Sequence, residues 1–459
     1  MTITRNALKD SKITVMGLGL HGGGIATARF LAEAGARVTV TDLGSPEKLA
    51  SSIEQLSGLD IQYVLGEHRE KDFTEADLVI KNPAVPSGSP FLKMAKQIET
   101  DISLFLQLTD NPLIAVTGSK GKSTTVSAIH HVMKMADPRT RLGGNITVSP
   151  LSFINELGKD DLVILELSSW QLHDLGERDL LKPDIALITN IMYDHQNRYS
   201  TFRDYVNDKK LIYRNQKPGQ VSIFGEDSWA EEFCSESRGD VYRFFQNKPS
   251  EPITGRCGWL EENRGFFTES GSEIIEIVPE TLSVPGEHFR LNMLIAGMVL
   301  YKAGLKPELI REGLSGFKGV PHRMEHFATK EGIDFYNDSA ATIPEAVAAA
   351  VESFKNPPVL ITGGTDKELK FEVLGDALKG AKGIFLLEGS GTDKIMPVLR
   401  RNGISWNGPY KSLKEALEEA YKIASRGDAI ILSPGCTSFG MFLNEFDRGD
   451  RFRELVGDL

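Results

Sequence analysis

Short apolar runs alternate with amphipathic stretches along this 459-residue chain, and this alternation constrains the fold more than any other feature. Near the N-terminus the runs Ile13–Met16 and Arg37–Thr41 flank the helical pattern of Ile25–Ala34, and another run follows at Leu78–Ile80. Parallel strands joined through helices need right-handed crossovers, and helices then cover both faces of the sheet. We therefore predict an α/β fold with a small doubly wound sheet at the N-terminus.

Two further blocks repeat the alternation. The second block has strand-like runs at Leu113–Val116, Leu162–Leu165 and Ile185–Thr189, followed from about residue 224 to 285 by a Gly-, Glu- and Ser-rich stretch typical of short antiparallel strands. The third block separates four apolar runs by helical patterns such as Pro344–Phe354 and Leu413–Ala424. Its runs are Asp334–Tyr336, Val359–Thr362, Ile384–Leu387 and Ala429–Leu432.

The length agrees with this division, because domains hold roughly 150 residues each. We predict three domains at residues 1–106, 107–320 and 321–459. The first is Rossmann-like, the second is a P-loop domain with a parallel sheet plus small antiparallel strands, and the third is again a Rossmann-like α/β domain.

Composition excludes several classes of protein. The net charge is −11 and we find no long basic run, so nucleic acid is a poor candidate partner. No segment approaches the roughly 20 apolar residues of a membrane span, and the first ten residues are too polar for a secretory signal. Three scattered cysteines form neither a disulfide framework nor a metal motif. We expect a cytoplasmic protein without a membrane span.

A glycine-rich loop after the strand Leu113–Val116 carries the clearest chemistry. Its eight residues are Thr117, Gly118, Ser119, Lys120, Gly121, Lys122, Ser123 and Thr124, and a helical pattern follows. Glycines let backbone N–H groups converge on phosphate oxygens, Lys122 supplies a cation and the Ser123 hydroxyl can ligate Mg²⁺. A glycine-rich turn with a solvent-facing lysine is the alternative, but the flanking strand and helix favour a phosphate site.

A second glycine motif, Gly17 to Gly22, follows the strand Ile13–Met16, and Asp42 ends the next strand. The motif matches a dinucleotide fingerprint with its ribose-binding acid, which alone would suggest a nicotinamide-dependent oxidoreductase. A nucleotide-sugar diphosphate would satisfy the same backbone donors. A purely structural βα turn also remains open.

Three further candidate residues lie at or shortly after the carboxyl end of a strand, where open α/β sheets bind ligands. Glu166 ends the strand Leu162–Leu165, His195 follows the strand Ile185–Thr189, and Lys209 lies in the polar helix beyond it. An acid at a strand end can hold Mg²⁺. Alone, His195 or Lys209 is as readily structural, but their combination with a phosphate loop favours catalysis.

An ordered set of motifs also carries a resemblance to a known family. The set comprises the 117–124 loop, Gly143-Gly144-Asn145-Ile146, Glu166-Leu167-Ser168-Ser169, Asp194-His195 with Arg198 and Tyr199, Lys209, His322-Arg323, Asn337-Asp338-Ser339 and Ser433-Pro434-Gly435. In these motifs the chain resembles the Mur ligases over nearly its whole length. Folylpolyglutamate synthetases share the short phosphate loop but should lack the βαβ unit at residues 13–42.

Within the family, four segments resemble the member that adds D-glutamate. They are Gly17-Leu18-Gly19-Leu20, Asn82-Pro83, Gly363-Gly364-Thr365-Asp366-Lys367 and the stretch from Ser438-Phe439 to Arg448-Gly449. The resemblance implies ATP-dependent ligation of D-glutamate to UDP-N-acetylmuramoyl-L-alanine through an acyl phosphate, in cytoplasmic peptidoglycan precursor synthesis. A Mur-type ligase for another amino acid, an oxidoreductase and a non-catalytic nucleotide-binding protein are the alternatives.

The resemblance also implies roles for individual residues. Lys122, Glu166, His195 and Lys209 would be catalytic, and Ser123, Glu166, His195 and a carbamylated Lys209 would hold two Mg²⁺ ions, for which Mn²⁺ could substitute. ATP would contact the 117–124 loop, Asn292, Arg323 and Asp338. The UDP-sugar would contact Gly19, Leu20, His21, Asp42, Leu43, Asn82, Asn145 and His195, with Asn145 alternatively ordering the metal site. D-Glutamate would contact Thr342, Lys367 and Ser438. The carbamate on Lys209 would form from CO₂. We expect the protein to be a monomer.

Five positions depart from the commonest family pattern. They are Lys120, where Asn is frequent; Asn197, where Asp is frequent; Phe289, where Asn is usual; Ala340, where Lys is common; and Glu445, where an aromatic residue is common. None removes a proposed metal ligand. Phe289 removes an amide that could bind the adenine base, and Glu445 suggests that the glutamate pocket differs in detail.

Overall fold

The computed structural model describes residues 3–20, 22–146, 148–193, 199–250, 253, 255–438 and 440–459. It divides into two compact units, Met1–Val278 with Asn292–Arg311, and Pro279–Leu291 with Glu312–Leu459. Three sheets, with helices connecting their strands, confirm the predicted α/β fold class. The limits at residues 106 and 320 stay predictions. Within the described ranges, no helix has both the length and the apolar surface needed to cross a bilayer.

The N-terminal sheet has five parallel strands: β1 (Lys12–Met16), β2 (Arg37–Asp42), β3 (Ile61–Leu65), β4 (Leu78–Lys81) and β5 (Ile98–Glu99). Its helices are α1 (Arg5–Leu8), α2 (Gly23–Glu33), α3 (Ala50–Glu54), α4 (Glu70–Thr74) and α5 (Asp101–Leu108). The strand order is β3-β2-β1-β4-β5. The order reverses beside β1, so the carboxyl ends of β1 and β4 border a crevice suited to a ligand.

The middle sheet has nine strands: β6 (Leu113–Thr117), β7 (Arg141–Gly144), β8 (Val163–Glu166), β9 (Ile185–Ile188), β10 (Val221–Phe224), β11 (Asp240–Phe245), β12 (Cys257–Glu261), β13 (Arg264–Thr268) and β14 (Ile275–Val278). The helices from this part of the chain are α6 (Lys122–Ala136), α7 (Ser169–Leu175), α8 (Phe202–Lys210), α9 (Ala230–Glu236), α10 (Glu287–Lys302) and α11 (Pro307–Gly316). The order is β14-β13-β12-β11-β10-β9-β6-β8-β7. The central position of β6 places the glycine-rich loop at the middle of the sheet.

The prediction of antiparallel strands throughout residues 224–285 is wrong in its first part. Helix α9 follows β10, and β11 pairs parallel with both β10 and β12. Ala230 and Phe233 are buried one helical turn apart, and Tyr242 and Phe244 are buried two residues apart. These spacings are helical and strand-like respectively. Only β12, β13 and β14 pair antiparallel.

The C-terminal sheet has six strands: β15 (Glu325–Lys330), β16 (Ile333–Asn337), β17 (Val359–Gly363), β18 (Gly383–Leu387), β19 (Asn407–Tyr410) and β20 (Ala429–Leu432). Its helices are α12 (Pro344–Glu352), α13 (Leu374–Ala377), α14 (Ser390–Arg401), α15 (Leu413–Ile423) and α16 (Glu445–Asp458). The order is β15-β16-β20-β17-β18-β19, parallel except at β15. Separate apolar clusters cover its two faces.

One continuous apolar core joins the N-terminal and middle sheets. It runs from β1 and β2 through α5 to β6 and β8. Phe105 of α5 meets Phe153 edge to face, with their ring centroids 6.1 Å apart. Polar contacts cross the same boundary, since the Ile3 backbone N–H donates to the Gln107 side chain at 3.0 Å and Arg5 donates to Asn155 at 2.9 Å. The two sheets therefore share one hydrophobic interior.

Candidate functional site

The glycine-rich loop connects β6 to α6 as the sequence predicts, and the segment after β9 holds it in shape. The Ser119 N–H donates to the Asn190 carbonyl, and the Lys120 N–H donates to the Asn190 side chain, both at 2.9 Å. The Thr189 hydroxyl donates to the Lys120 carbonyl at 2.6 Å. Gly118 has φ +144°, a conformation that strongly favours glycine. The loop backbone is therefore fixed before any ligand binds.

Gly121 lies at the start of α6 and faces Asn292 of α10. Its φ is +81°, and a Cβ at this position would overlap the Asn292 amide. Only glycine fits both the backbone conformation and this close approach. The structure thereby brings Asn292, a predicted ATP ligand, to the phosphate loop.

Two lysine ammonium groups converge on the Gly118 carbonyl. The Lys122 ammonium lies 2.9 Å from this oxygen, and the Lys209 ammonium lies 2.8 Å from it. Lys209 is only 1% exposed, and its ammonium lies 4.7 Å from the centre of the Tyr205 ring. Two cations around one carbonyl form an electropositive pocket suited to a polyanion.

Glu166 ends β8 beside this pocket and is 1% exposed. One of its carboxylate oxygens accepts a 2.9 Å hydrogen bond from the Asn145 amide. The other oxygen is buried and has no hydrogen-bond partner among the residues that the structure describes. A buried carboxylate oxygen needs a proton, a donor or a cation, so the donor set fits a divalent metal ion. Ser123, in the first turn of α6, is the hydroxyl that the sequence pairs with it.

Some predicted residues lie outside the described part of the chain. These are His195 within residues 194–198, and His21 in the N-terminal glycine motif. Among the described residues, no group of three or more His, Cys, Asp or Glu side chains is arranged to hold a metal ion. Of the four predicted metal ligands, the structure thus describes Ser123, Glu166 and Lys209.

A mostly apolar pocket of about 630 Å³ opens at the carboxyl ends of β1 and β4. The predicted UDP-sugar residues that line it are Gly19, Leu20, Asp42, Leu43 and Asn82. Leu20 is 49% exposed and Leu43 is 68% exposed, although both are large apolar side chains. His68, Pro90 and Phe91 complete the wall, and the His68 and Phe91 rings meet edge to face at 5.2 Å. Exposed apolar walls of this kind suit a flat heterocycle.

Asp42 has a role within the protein that the fingerprint does not reveal. One of its oxygens accepts the N–H groups of Leu18 at 2.8 Å and Gly19 at 3.1 Å, and the other accepts the Gly44 N–H at 2.7 Å. Asp42 therefore holds the glycine turn closed. Two backbone donors that a diphosphate could have used are engaged by this carboxylate.

In the C-terminal unit the structure brings together two of the predicted D-glutamate ligands. The Lys367 ammonium donates to the Thr342 hydroxyl at 3.3 Å. Ser438 follows Thr437, and Thr437 pairs with Thr365 through backbone hydrogen bonds of 3.0 and 3.2 Å. Because Thr365 and Lys367 belong to one loop, the Thr365–Thr437 pairing places Ser438 next to that loop.

Asp338 and Arg323 meet in the same unit. The buried Asp338 carboxylate accepts a 2.7 Å hydrogen bond from Ser433 and a 3.0 Å bond from the Met324 N–H. Burial raises the pKa of Asp338 from 3.8 to about 7, although the hydrogen bonds from Ser433 and Met324 and the charge of Arg323 act to lower it. Arg323 itself is exposed. The backbone around it is thus anchored while its guanidinium remains accessible.

The structure gives several unusual positions a packing or backbone role. Phe289 stacks on Phe317 with ring planes 9° apart. The Ala340 N–H donates to the His322 carbonyl at 2.9 Å, and the Glu445 carbonyl accepts from Ser339 at 2.7 Å. Lys120 is exposed at the tip of the phosphate loop. Asn197 lies outside the described residues.

Sequence reasoning missed three contributors to these sites. Tyr205 lies under the Lys209 ammonium and shares a 2.7 Å hydrogen bond with Ser119. Asn190 anchors the phosphate loop, and its position just after a buried strand was an available signal. His68 lines the N-terminal pocket, and burial lowers its pKa. No local pattern marks His68, because β3 and the segment of residues 82–91 meet only in the folded chain.

Comparison with known proteins adds an independent observation. Three family models match: the Mur ligase MurD-like N-terminal domain at residues 11–103, the Mur ligase middle domain at 116–300 and the Mur ligase glutamate ligase domain at 322–436. The UDP-N-acetylmuramoylalanine--D-glutamate ligase of Borreliella afzelii (strain PKo) is 41% identical, covering 98% of each chain. The ligase of the same name from Roseiflexus sp. (strain RS-1) is 39% identical, covering 98% of this chain and 99% of the other.

A solved structure shares the fold at lower sequence identity. UDP-N-acetylmuramate-alanine ligase MurC from Thermotoga maritima superimposes with a TM-score of 0.63 at 21% identity, covering 98% of this chain and 99% of the other.

Proposed function

Because this chain belongs to the Mur ligase family, we propose that it joins D-glutamate to UDP-N-acetylmuramoyl-L-alanine, with ATP cleaved to ADP and phosphate. The single observation that carries the proposal is that Lys122 and Lys209 lie at the phosphate loop beside a buried Glu166 oxygen that has no hydrogen-bond partner among the described residues. Such a site suits phosphoryl transfer, because catalysis there rests on neutralising and positioning negative groups. Relatives that cover nearly the whole chain and carry this activity in their names support the choice.

The reaction we propose has two chemical steps. The carboxylate of the alanyl group attacks the γ-phosphorus of ATP, so the bond to ADP breaks and an acyl phosphate forms. The amine of D-glutamate then attacks the acyl carbon, and the tetrahedral intermediate expels phosphate. Lys122, at the start of α6, neutralises charge on the β- and γ-phosphates. We propose that the 117–124 loop and Asn292 supply further ATP contacts, and Arg323 and Asp338 of the C-terminal unit stay predicted ATP ligands.

We propose that Glu166 and Ser123 hold one Mg²⁺ ion and that Glu166, His195 and a carbamylated Lys209 hold a second. The ions would act as Lewis acids on phosphoryl oxygens. Asn145 orients Glu166 through its 2.9 Å hydrogen bond to one oxygen, and the other oxygen has no hydrogen-bond partner among the described residues. Addition of CO₂ to the neutral amine of Lys209 would replace a cation by an anionic oxygen ligand, which hard Mg²⁺ prefers.

The two substrates would occupy different parts of the protein. We propose that uridine lies in the pocket lined by Leu20, Leu43 and Asn82. D-Glutamate would place its carboxylates against Lys367, Thr342 and Ser438, because a cation and hydroxyls suit a dianion. The proposal also includes three domains, at residues 1–106, 107–320 and 321–459. We further propose that the protein is a monomer and is located in the cytoplasm.

The test is phosphate release from ATP and Mg²⁺ with UDP-N-acetylmuramoyl-L-alanine, comparing D-glutamate, L-glutamate, L-lysine and diaminopimelate. We expect turnover with D-glutamate alone. Turnover with another acceptor would agree with the Mur ligase family but would show that the amino-acid substrate is not D-glutamate. Absence of turnover with all four would contradict the proposed reaction.

A second experiment addresses the carbamate. Lys209→Ala should abolish turnover, and a small carboxylic acid should restore part of it by supplying the missing oxygen ligand. Lys217→Ala, a change at an exposed lysine beyond α8, is the matched control and should turn over like the parent enzyme. Absence of rescue at any concentration of acid would argue against the carbamate.

A further inference from the structure

A buried ion pair connects the N-terminal and middle sheets next to the proposed uridine pocket. Lys81, the last residue of β4, lies 2.6 Å from a carboxylate oxygen of Asp174 in the last turn of α7. Each side chain is only 5% exposed. The Lys81 ammonium also donates to the Val85 carbonyl at 3.2 Å. One cation therefore ties a loop of the N-terminal sheet to a helix of the middle sheet.

A second pair of opposite polarity lies nearby. Here the acid, Glu99 of β5, belongs to the N-terminal sheet, and the base, Arg178, follows α7. One Arg178 nitrogen lies 2.9 Å from each Glu99 carboxylate oxygen, and Glu99 is 3% exposed. Sliding α7 in one direction against β4 and β5 would move Lys81 towards Arg178, and sliding it in the other direction would move Glu99 towards Asp174. Like charges at such distances repel, so the crossed pairs favour one register of the two sheets.

Both ends of this connection belong to proposed binding sites. Val85 lies in the segment of residues 82–91, most of which lines the uridine pocket. Helix α7 begins immediately after Glu166-Leu167-Ser168, and the Leu167 carbonyl accepts a 2.7 Å hydrogen bond from Thr117 of the phosphate loop. The Lys81–Asp174 pair therefore connects the wall of the uridine pocket to the helix that follows Glu166 beside the phosphate loop.

We propose that the Lys81–Asp174 pair, supported by Glu99–Arg178, is a positioning device that holds the 82–91 segment in register with the phosphate loop. The role rests on the proposed function, because a UDP-sugar anchored in the first pocket must present its alanyl carboxylate at the second. A misplacement of about 1 Å can lower a rate by about 100-fold. Lys81 and Asp174 act through the segment and contact no reacting atom in this role.

Stability alone is a weaker explanation for the pair. Replacing a buried ion pair by apolar side chains of similar volume is often neutral or stabilising, whereas removing one partner strongly destabilises. The double variant Lys81→Met with Asp174→Leu therefore separates the two explanations, because it should fold well yet leave the Val85 carbonyl without the lysine. The single variant Lys81→Met shows the effect of removing the lysine while the Asp174 carboxylate stays buried.

The experiment combines substrate kinetics with hydrogen exchange. In the double variant we expect an unfolding midpoint near that of the parent enzyme and an unchanged KM for ATP. The KM for UDP-N-acetylmuramoyl-L-alanine should rise about tenfold, which corresponds to one lost hydrogen bond to a charged group. Amide exchange in residues 82–91 should become faster. The matched control is Lys302→Met, which breaks a 2.7 Å ion pair with Glu269 that contacts neither pocket.

Two results would overturn the proposal. One is a double variant with the parent KM for the UDP-sugar and the parent exchange rates in residues 82–91. The other is a rise in the KM values for ATP and for the UDP-sugar that has the same size in the double variant and in Lys302→Met. Hydrogen exchange needs no substrate, so it decides the role of the pair even if the parent enzyme adds no D-glutamate. Failure of the proposed reaction would instead appear as an inactive parent enzyme.

Discussion

Asn145 donates a 2.9 Å hydrogen bond to one carboxylate oxygen of Glu166 and leaves the other oxygen buried without a hydrogen-bond partner among the described residues. The backbone N–H of Asn145 also donates to the Glu166 carbonyl at 2.8 Å, so main-chain and side-chain hydrogen bonds both join the two residues. The neutral Asn145 amide therefore holds the acid without cancelling its negative charge.

Glu166→Gln tests the charge of this acid. The substitution preserves size but replaces an anionic metal ligand by a neutral amide, so kcat should fall about a thousandfold, corresponding to the several kcal/mol that a metal supplies. Steady-state phosphate release over a range of Mg²⁺ concentrations is the measurement. Glu156→Gln, which alters a surface pair with Arg141, is the control. Equal kcat in both variants would show that Glu166 holds no essential metal.

Gly121→Ala tests the contact between the phosphate loop and Asn292. The new Cβ would meet the Asn292 amide while the backbone has φ +81°. We expect the free energy of unfolding to fall by roughly 2–4 kcal/mol and the KM for ATP to rise. Gly219→Ala separates the two causes, because Gly219 has φ +91° and open space where its Cβ would be. Equal destabilisation of both variants in urea unfolding would mean that the Asn292 contact contributes nothing.

Asp338 should make the stability of the C-terminal unit depend on pH. Its pKa is raised from 3.8 to about 7, so the folded state binds the proton more tightly than the unfolded chain does. The resulting stabilisation is complete below pH 4, falls as the pH rises towards 7 and is absent above about 8. At about 1.4 kcal/mol per unit, the change is about 4 kcal/mol.

Comparison with Asp338→Asn measures this effect. Urea unfolding of both proteins at pH 4.5, 6 and 8 should show the parent losing stability relative to the variant as pH rises. Asp458→Asn, at the exposed end of α16, is the control and should follow the parent curve. A parallel pH dependence of the parent and Asp338→Asn would contradict the raised pKa.

Lys367→Met tests the proposed amino-acid site. Loss of the cation beside Thr342 should raise the KM for D-glutamate roughly 10- to 100-fold, since hydrogen bonds to charged groups contribute about 1.5–3 kcal/mol. The KM for ATP should not change. Lys370→Met removes an exposed lysine three residues further along the same loop and should leave both KM values at the parent level. An unchanged KM for D-glutamate in Lys367→Met would show that Lys367 does not bind D-glutamate.

Local sequence signals predicted the strands, helices and loops that carry most of the candidate site. The run Leu113–Val116 before the glycine loop and the acid after Leu162–Leu165 were recognised because strand, loop and strand-end residues are contiguous. The contact of Gly121 with Asn292 was not predictable, because it joins the start of α6 to α10 across a long stretch of chain. For the same reason the engagement of glycine-loop amides by Asp42 escaped prediction: a fingerprint shows spacing and not which donors are already satisfied.

The interior shared by the N-terminal and middle sheets limits how this chain can be divided or recombined. Residues of α5 and the segment of residues 150–154 bury one another across residue 106, so cutting there would expose apolar surface on both fragments. A chimera that exchanges the first 106 residues for those of a relative must therefore match the partner face around Phe153 as well. Unfolding of these two sheets should be cooperative, with a single transition for probes placed in either one.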